Sequence, residues 1–442
     1  MLQKLIQYDD FVACLKRIKN QHEFKMYPPS EVLNITFRMD SKYKYIRVMI
    51  YGKETIKYFC AHGRIKDLGN NVKYYHKESV SDEDGKPSRL NMDDYYIRFN
   101  LKEEKPLNET NEVIRDLLDH WMETPKFFRY KKIFTFETTD GLFRNDLSIV
   151  KESRNEDKEL TVGEVIKLNL EDFVIKPDNN KETFKDWWNK MKHKPSYTVK
   201  VSGQPVYYQS FQKSGTLENK SNYEIEVEYL GNQKEQKTLT DNDVMIKFIQ
   251  LIGIHLQAIQ RSYYVISRSE VGTVRNSFAF LTSVKGRNLF KASLPNTVEL
   301  NNIQQLTNRQ YLDSSNHTIR KNFLVTEKAD GERNLLFIDH QGEFYFINRQ
   351  NLVRKMGIKM PEISNTLVDG EYLEDQKLYL IFDAYFFQQK PVWKEIFDPR
   401  YEIVKQVSEY IKLNITKPSA QVEVKFPLVV GRKIYYRGDL IL

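Results

Sequence analysis

A polar segment between two apolar runs constrains the fold of the C-terminal half of this 442-residue chain. The segment is residues 326–333, with an apolar run at 323–325 before it and another at 335–338 after it. Short apolar runs bounded by turn residues predict two strands that meet at a sharp corner. The corner combines a lysine, a carboxylate, a glycine and an arginine: Lys328, Asp330, Gly331 and Arg333.

Two interpretations of this corner are open. Asp-Gly between apolar runs is a frequent hairpin turn, in which a nearby lysine is simply solvated. Alternatively, Lys328 is a nucleophile toward phosphorus, because burial or a cationic neighbour lowers the pKa of an amine. Arg333 would then hold a ribose or a phosphate.

Further strand patterns follow the corner at regular spacing. Residues 344–349 end in Arg349, which follows Lys328 by 21 residues. Residues 367–372 pass through Asp369 to Glu371, which follows Arg349 by 22 residues, and residues 378–385 form another strand of the buried type. Strands that each end in a polar residue predict a mixed sheet with one functional edge.

Lys-x-Asp-Gly-x-Arg, then a strand ending in arginine, then Asp-Gly-Glu, resembles the covalent nucleotidyltransferase superfamily, which contains mRNA guanylyltransferases and the DNA and RNA ligases. The resemblance implies that Lys328 attacks the α-phosphate of a nucleotide and forms a lysyl phosphoramidate, with a divalent cation screening the phosphates. It implies catalytic roles for Lys328, Asp330 and Arg333, and nucleotide-binding roles for Arg349, Asp369 and Glu371.

Two later motifs of that superfamily, an acidic-Gly strand and a Lys-x-Lys strand, have no convincing copy between residues 383 and 442. Residues 423–425 are a poor candidate, and the run from 431 to 442 stops in mid-pattern. We therefore expect a truncated chain, with the rest of the transferase domain and an oligonucleotide-binding fold beyond it.

The N-terminal half contains a strictly alternating acidic strand, residues 223–229. Glu224, Glu226 and Glu228 share one face of it, about 7 Å apart, because side chains alternate along a strand. Like charges at this spacing repel, so a metal ion or facing Lys and Arg side chains should offset them. The alternative is an amphipathic strand with a wet acidic face.

Other strands of this half supply cations. Residues 94–102 predict one strand with Arg98 and Lys102 on the same face, and residues 128–134 alternate Arg129 and Lys131 with apolar residues. Asp146 lies in a further strand at 144–148. A β-barrel lined by these carboxylates and bases would bind a metal and a triphosphate together, unless the charges are ordinary solvent-facing ones.

This set resembles the triphosphate-tunnel RNA triphosphatases. A tunnel ahead of a guanylyltransferase resembles the mRNA capping enzymes of large cytoplasmic DNA viruses and cytoplasmic linear plasmids, which implies a cytoplasmic location. The resemblance implies metal ligands at Glu224, Glu226 and Glu228. It also implies triphosphate-binding residues, namely Arg98, Lys102, Arg129, Lys131 and Asp146.

The first strand of such a tunnel departs from the pattern here. Asn34 and Thr36 stand where glutamates are expected, and Glu31 lies out of register, hence on the opposite face. Losing two carboxylates weakens the binding of a hard dication, which prefers charged oxygen ligands.

These patterns predict an α+β chain in three parts. An N-terminal antiparallel β-barrel spans residues 1–237, a connecting helix capped by Thr240 or Asp241 spans 238–267, and a nucleotidyltransferase domain with mixed antiparallel sheets spans 268–442. Apolar residues at helical spacing in the connecting helix, Ile246 and Ile249 among them, predict its buried face.

The composition indicates which class of partner the protein could bind. Lys and Arg exceed Asp and Glu by 68 to 60, and Phe, Tyr and Trp make up 13%, which suits a polyanion, although many mildly basic proteins bind none. Two cysteines fit a reducing compartment, and no apolar run is long enough to span a bilayer. The expected partners are GTP, 5′-triphosphate RNA, Mg²⁺ or Mn²⁺, an RNA polymerase and a cap methyltransferase, with no membrane.

Three functions fit the sequence. The first is a bifunctional capping enzyme that removes the γ-phosphate from RNA and then transfers GMP through Lys328. The second is an RNA or DNA ligase that uses Lys328 with ATP, which has no use for the acidic strand. The third is a decayed tunnel that guides RNA or docks a polymerase, favoured by Asn34 and Thr36. A Glu224→Ala variant separates the first from the third by phosphate release.

Overall fold

A computed structural model describes residues 6–81, 85, 88–167, 174, 184–231, 240–283, 323–416, 423–424 and 428–437. The chain divides into an N-terminal unit, Met1–Ile259, and a C-terminal unit, Gln260–Leu442. The described helices are α1 Tyr8–Lys19, α2 Lys53–His62, α3 Glu112–Asp119, α4 Val162–Lys167, α5 Phe184–Met191, α6 Phe211–Ser214, α7 Asp241–Gln260, α8 Arg268–Thr282 and α9 Phe397–Thr416.

The strands of the N-terminal unit are β1 Phe24–Met26, β2 Ser30–Phe37, β3 Ile46–Tyr51, β4 Val72–Ser79, β5 Arg89–Met92, β6 Ile97–Asn100, β7 Lys102–Leu107, β8 Lys126–Thr138, β9 Phe143–Glu152, β10 Asn155–Thr161, β11 Thr198–Pro205 and β12 Asn222–Tyr229. Those of the C-terminal unit are β13 Leu324–Val325, β14 Glu332–Ile338, β15 Glu343–Asn348, β16 Val353–Lys359, β17 Thr366–Leu373, β18 Leu378–Phe387, β19 Lys390–Pro391, β20 Glu423–Val424, β21 Val429–Arg432 and β22 Tyr436–Arg437.

The main sheet of the N-terminal unit runs in the order β12-β9-β8-β2-β3-β4-β7, with β1 added on β8, and its pairings are antiparallel. Alternation along β2 sends Leu33 and Ile35 into an apolar core with α2 and α3, and puts Asn34 on the opposite, charged face. Strands β8 and β9 instead pack against α1, where Phe11 and Leu147 are buried together.

The charged face of this sheet is concave. Lys77 of β4, near one edge, interacts electrostatically with Glu226 and Glu228 of β12, which is the opposite edge. The sheet therefore curls into a half-barrel, in keeping with the twist of antiparallel sheets. Within the described ranges β7 and β12 do not pair with each other, so the closed barrel expected from the sequence is not shown.

Residues 94–102 do not form the single strand that the sequence predicts. Arg98 lies in β6, which pairs only with β5 in a separate hairpin, whereas Lys102 begins β7 and pairs with Ser79 of β4. The prediction that Arg98 and Lys102 share one face of one strand is therefore wrong. Alternation along the sequence carries no signal for the break at Leu101, where the chain passes from one sheet to another.

Helix α7 begins where the sequence predicts and ends earlier. The Thr240 hydroxyl accepts the Asp243 N–H and the Asp243 carboxylate accepts the Thr240 N–H, both at 3.2 Å, which is a reciprocal N-terminal cap. The predicted apolar face is wrong in part, because Ile246 and Ile249 are 46% and 62% exposed. The buried face is instead centred on Leu251 and His255.

The sheet of the C-terminal unit runs in the order β19-β18-β17-β14-β15-β16-β20, with β21 added parallel to β18. Leu336 and Ile338 of β14 pack with α9 on one face, and Leu335 and Phe337 pack with α8 on the other. Burial on both faces explains why residues 335–338 are continuously apolar rather than alternating.

The corner at residues 326–331 is not a hairpin turn. Strand β13 pairs with β22, whereas β14 pairs with β15 and β17. The hairpin interpretation of the Asp-Gly corner is therefore wrong, and the segment that carries Lys328 is a connection between two different sheets. Within the described ranges, no helix is long and apolar enough to cross a membrane.

Candidate active site

A cavity of about 760 Å³ in the C-terminal unit gathers four of the residues predicted from the sequence, Lys328, Arg333, Arg349 and Glu371. The other lining residues are Thr326, Gly331, Glu332, Asn348, Gln350, Phe382, Asp383, Tyr385, Lys433 and Tyr435. The volume is in the range of small-molecule and cofactor sites. Two predicted residues, Asp330 and Asp369, do not line it.

The segment that carries Lys328 is attached at both ends. Before the lysine, the Thr326 hydroxyl donates to the Ile434 carbonyl at 2.8 Å. After it, the Gly331 N–H donates to Glu371 Oε1 at 3.2 Å. A Cβ at Gly331 would lie 2.7 Å from the Tyr372 carbonyl oxygen, so this approach requires glycine.

The Lys328 side chain is exposed. The burial that can activate an amine is therefore not found here. Arg333 and Arg349 line the same cavity, and Arg333 is itself paired with a carboxylate. Asp330 is exposed in the same segment, outside the cavity lining.

Arg333 is held by a buried carboxylate. Its Nε and Nη2 donate to the two oxygens of Asp369 at 3.1 and 2.6 Å, and the Tyr385 hydroxyl donates to Asp369 at 2.8 Å. Burial raises the pKa of Asp369, and the Arg333 and Tyr385 donors only partly offset it. Asp369 is fully buried, so the structure places it behind Arg333 and not in the nucleotide-sized cavity.

Glu371 is held by a lysine that the sequence patterns did not indicate. Lys433 Nζ donates to Glu371 Oε2 at 2.9 Å, and it also lies 5.3 Å from the centroid of the Phe382 ring. Arg333 Cζ lies 5.4 Å from the same ring. Lys433 follows β21, which pairs in parallel with β18 far from it in sequence, so no local pattern indicates its place.

The carboxylates that line the cavity are Glu332, Glu371 and Asp383. Each is already paired with a cation: Glu332 with Arg354, Glu371 with Lys433, and Asp383 with Arg400. Within the described part of the chain, no three His, Cys, Asp or Glu side chains cluster to hold a metal by themselves. Mg²⁺ is commonly held by one or two carboxylates together with substrate phosphates, so a dication that arrives with a ligand would have to displace one of these ion pairs.

The concave face of the half-barrel gathers most of the predicted tunnel residues. Arg129 pairs with both Glu152 and Glu224. Lys131 lies 3.1 Å from Glu224 and 3.1 Å from Glu226. The sequence left two ways to offset the negative charge of the acidic strand, a metal ion or facing Lys and Arg side chains. The structure shows facing Lys and Arg side chains.

The other carboxylates of the concave face have their own neighbours. Glu228 lies 3.8 Å from Arg144. Asp146 accepts from the Thr135 hydroxyl at 2.7 Å, and burial raises the pKa of Asp146. Burial also opposes charge on Glu226, but Lys131 and Arg129 outweigh it, so the pKa of Glu226 is lowered.

Two bases of this face were not predicted from the sequence. Arg47 of β3 and Lys77 of β4 both approach Glu104 of β7. Burial and the neighbouring Arg47 and Lys102 lower the pKa of Lys77 to about 8. Arg47 is the single basic residue of β3, so no repeat in the sequence indicated it, and only the strand order brings it beside β4 and β7. Arg98 remains outside this sheet, in the β5–β6 hairpin.

The residues of the half-barrel do not fit the metal site implied by the resemblance. Asn34 of β2 faces Arg129 and is buried with no carboxylate beside it on its own strand face. Glu31 points to the other face, as predicted, where its carboxylate interacts with the Tyr130 hydroxyl. Glu224 and Glu226 are committed to Arg129 and Lys131. A hard dication would have to displace these ion pairs.

Comparison with known proteins agrees with the geometry of the C-terminal unit. Residues 265–440 match the family described as mRNA capping enzyme, catalytic domain. The matched range contains the cavity and all of its lining residues. The match supports mRNA capping and guanylyl transfer in general.

A similar viral protein supports the same family. The chain is 30% identical over 173 residues to a "Probable mRNA-capping enzyme" of Acanthamoeba polyphaga mimivirus, which covers 38% of this chain. The matched part is 13% of the length of that viral protein. The similarity therefore concerns a small part of the relative.

Proposed function

We propose that the C-terminal unit is a guanylyltransferase that forms a covalent lysyl-GMP at Lys328 and passes GMP to the 5′-diphosphate end of RNA. The observation that carries this proposal is the cavity in which Lys328, Arg333, Arg349 and Glu371 meet, inside the segment that matches the capping catalytic domain.

The chemistry follows from the residues of the cavity. The Lys328 amine forms a bond to the α-phosphorus of GTP as the bond to the β-phosphate oxygen breaks, and pyrophosphate leaves. Arg333 and Arg349 supply positive charge where negative charge develops on the phosphate oxygens. The RNA diphosphate then displaces Lys328 from the phosphorus. A divalent cation, when bound, screens the phosphates during both transfers.

Phe382 supports an anionic ligand such as a nucleotide. Its ring lines the cavity, with Arg333 Cζ and Lys433 Nζ 5.4 and 5.3 Å from its centroid, so cation–π contacts hold two positive charges at the ligand space. These contacts do not separate guanine from adenine. An ATP-dependent ligase therefore stays the alternative that the experiment must address.

The test uses the full chain with Mg²⁺ or Mn²⁺ and α-labelled GTP or ATP in parallel. We expect acid-labile label from GTP on the denatured protein, its loss in Lys328→Ala, and its retention in Lys390→Ala, an exposed lysine of the same unit. Label from ATP alone would make the protein a ligase. Label from neither would contradict covalent nucleotidyl transfer.

A second candidate function concerns the half-barrel, as a site for the 5′-triphosphate of RNA. Arg47, Lys77, Arg129 and Lys131 converge on its concave face from three strands, which favours a polyphosphate ligand. The ion-paired glutamates favour binding without hydrolysis.

Phosphate release from 5′-triphosphate RNA separates hydrolysis from binding. Release that is lost in Glu224→Ala would establish a triphosphatase. No release, with retained RNA binding that weakens in Lys131→Met, would establish a binding module. An RNA polymerase and a cap methyltransferase remain proposed partners of a cytoplasmic protein.

A further inference from the structure

We infer that Lys433 is a positioning residue of this site: its ammonium orients Glu371 and, through Glu371, the amide of Gly331 on the segment that carries Lys328. This inference rests on the proposed transfer at Lys328 for its catalytic consequence, although the positioning itself is a property of the chain alone.

One carboxylate joins the two partners. Glu371 Oε2 accepts from Lys433 Nζ at 2.9 Å, and Glu371 Oε1 accepts from the Gly331 N–H at 3.2 Å. The Lys433 and Glu371 side chains are only 12% and 17% exposed. Charge-assisted hydrogen bonds are stronger than neutral ones, and a carboxylate held at both oxygens cannot rotate away from the glycine.

A second attachment comes from the neighbouring residue. The Ile434 carbonyl accepts from the Thr326 hydroxyl at 2.8 Å, and β22 pairs with β13 directly before that threonine. Residues 433 and 434 therefore hold both ends of the segment 326–331, the first through Glu371 and the second directly. The position of Lys328 depends on this C-terminal segment.

Lys433 also borders the cavity itself. It lies on the Phe382 ring beside Arg333, with the two cations 5.3 and 5.4 Å from the ring centroid. An ammonium has three N–H donors, and Glu371 accepts one. The same side chain that orients Glu371 is thus close enough to the ligand space to add positive charge for a nucleotide.

The experiment compares three variants of the full chain. Lys433→Met removes the ammonium, and Lys433→Arg keeps the charge. Arg432→Met is the matched control, because Arg432 is the preceding residue on the same segment, lies outside the cavity lining and pairs at 3.1 Å with the exposed Glu409. Two quantities are measured: single-turnover formation of the covalent guanylate across GTP concentrations, and hydrogen exchange of the Gly331 amide.

We expect Lys433→Met to slow covalent guanylylation about 10-fold to 100-fold, the effect of losing a hydrogen bond between charged groups. The maximal rate should fall more than the apparent GTP affinity, because the nucleophile is displaced. The Gly331 amide should exchange about 10-fold faster, since its acceptor is no longer fixed. Lys433→Arg should recover part of both, and Arg432→Met should leave both unchanged.

Two results would overturn the inference while leaving the proposed function intact. One is guanylylation and Gly331 exchange in Lys433→Met equal to those of Arg432→Met. The other is exchange that accelerates equally throughout the C-terminal unit, which would show a purely stabilising role. If the unaltered protein takes no label, the proposed function fails, and the Gly331 exchange alone decides the positioning role.

Discussion

The buried pair of Arg333 and Asp369 allows the most quantitative prediction. Asp369 is fully buried and the Arg333 side chain is 16% exposed, and two hydrogen bonds join them. Replacing Asp369 by Asn keeps the shape and removes the charge. Breaking a buried ion pair from one side costs about 3–5 kcal/mol. Because Arg333 retains some solvent contact, we expect the lower end, about 3 kcal/mol.

Native-state hydrogen exchange in the full chain measures this cost locally, so that unfolding of the other unit does not interfere. Amides of β14 and β17 should exchange about 100-fold faster in Asp369→Asn, the equivalent of about 3 kcal/mol. The control is Glu409→Gln, which removes the partner of Arg432 in the same unit. Glu409 is 67% exposed, and exposed pairs contribute at most about 1 kcal/mol.

Equal effects of the two substitutions would refute this reasoning, because they would mean that the buried carboxylate contributes no more than a solvated one. A second refuting result is unchanged covalent guanylylation in Asp369→Asn, because a released Arg333 guanidinium should no longer be directed at the cavity.

Three further predictions concern other parts of the chain. Burial lowers the pKa of His255 to about 4, so the folded state binds fewer protons than the unfolded state between about pH 4 and 6.5. The free energy of unfolding should therefore fall on acidification, by about 2 kcal/mol from pH 7 to 5. Urea titrations at several pH values should show that this pH dependence is lost in His255→Gln and kept in His340→Gln, and an unchanged pH dependence in His255→Gln would contradict the prediction. Gly331→Ala should abolish guanylylation without unfolding the protein, because its Cβ meets a backbone carbonyl, whereas Gly253→Ala has open space and should retain full activity. Arg129→Met should destabilise the N-terminal unit by about 2 kcal/mol, since it leaves two glutamates with one fewer cation, and urea titration showing no loss would mean that these ion pairs are fully solvated.

The strands of the C-terminal unit could be predicted from their apolar runs because both faces of these strands are buried. Residues 335–338 and 344–347 contact α8 on one side and α9 on the other, so every position is apolar and the strand pattern is strong. The N-terminal cap of α7 was equally readable, because Thr240 and Asp243 act within one turn.

Patterns that depend on a distant partner were not decided by the sequence. The Asp-Gly corner left a hairpin turn open as one interpretation, but β13 pairs with β22, more than a hundred residues away. Ile246 and Ile249 fit a helical stripe as well as Leu251 and His255 do, and only the packing of α7 decides which stripe is buried. Periodicity along the sequence shows that a helix has an apolar face, but it does not show which element packs against that face.

Local patterns identified the residues of the candidate site. Lys328, Arg333, Arg349 and Glu371 lie in or beside strand and turn patterns that can be recognised within short segments, and the resemblance of these motifs to covalent nucleotidyltransferases implies their roles. The alternation of Glu224 and its neighbours likewise assigned them to one face, because side-chain direction alternates along any strand.

The pairing of charges, in contrast, is a property of the tertiary structure. Lys433 reaches Glu371 through a parallel pairing of β21 and β18, and Arg129 and Lys131 reach the acidic strand through the order of β8, β9 and β12. Strand order is a long-range property, set by which apolar faces can be buried together. A Coulomb interaction depends on that final distance and on burial, and neither is encoded in the spacing of residues along the chain.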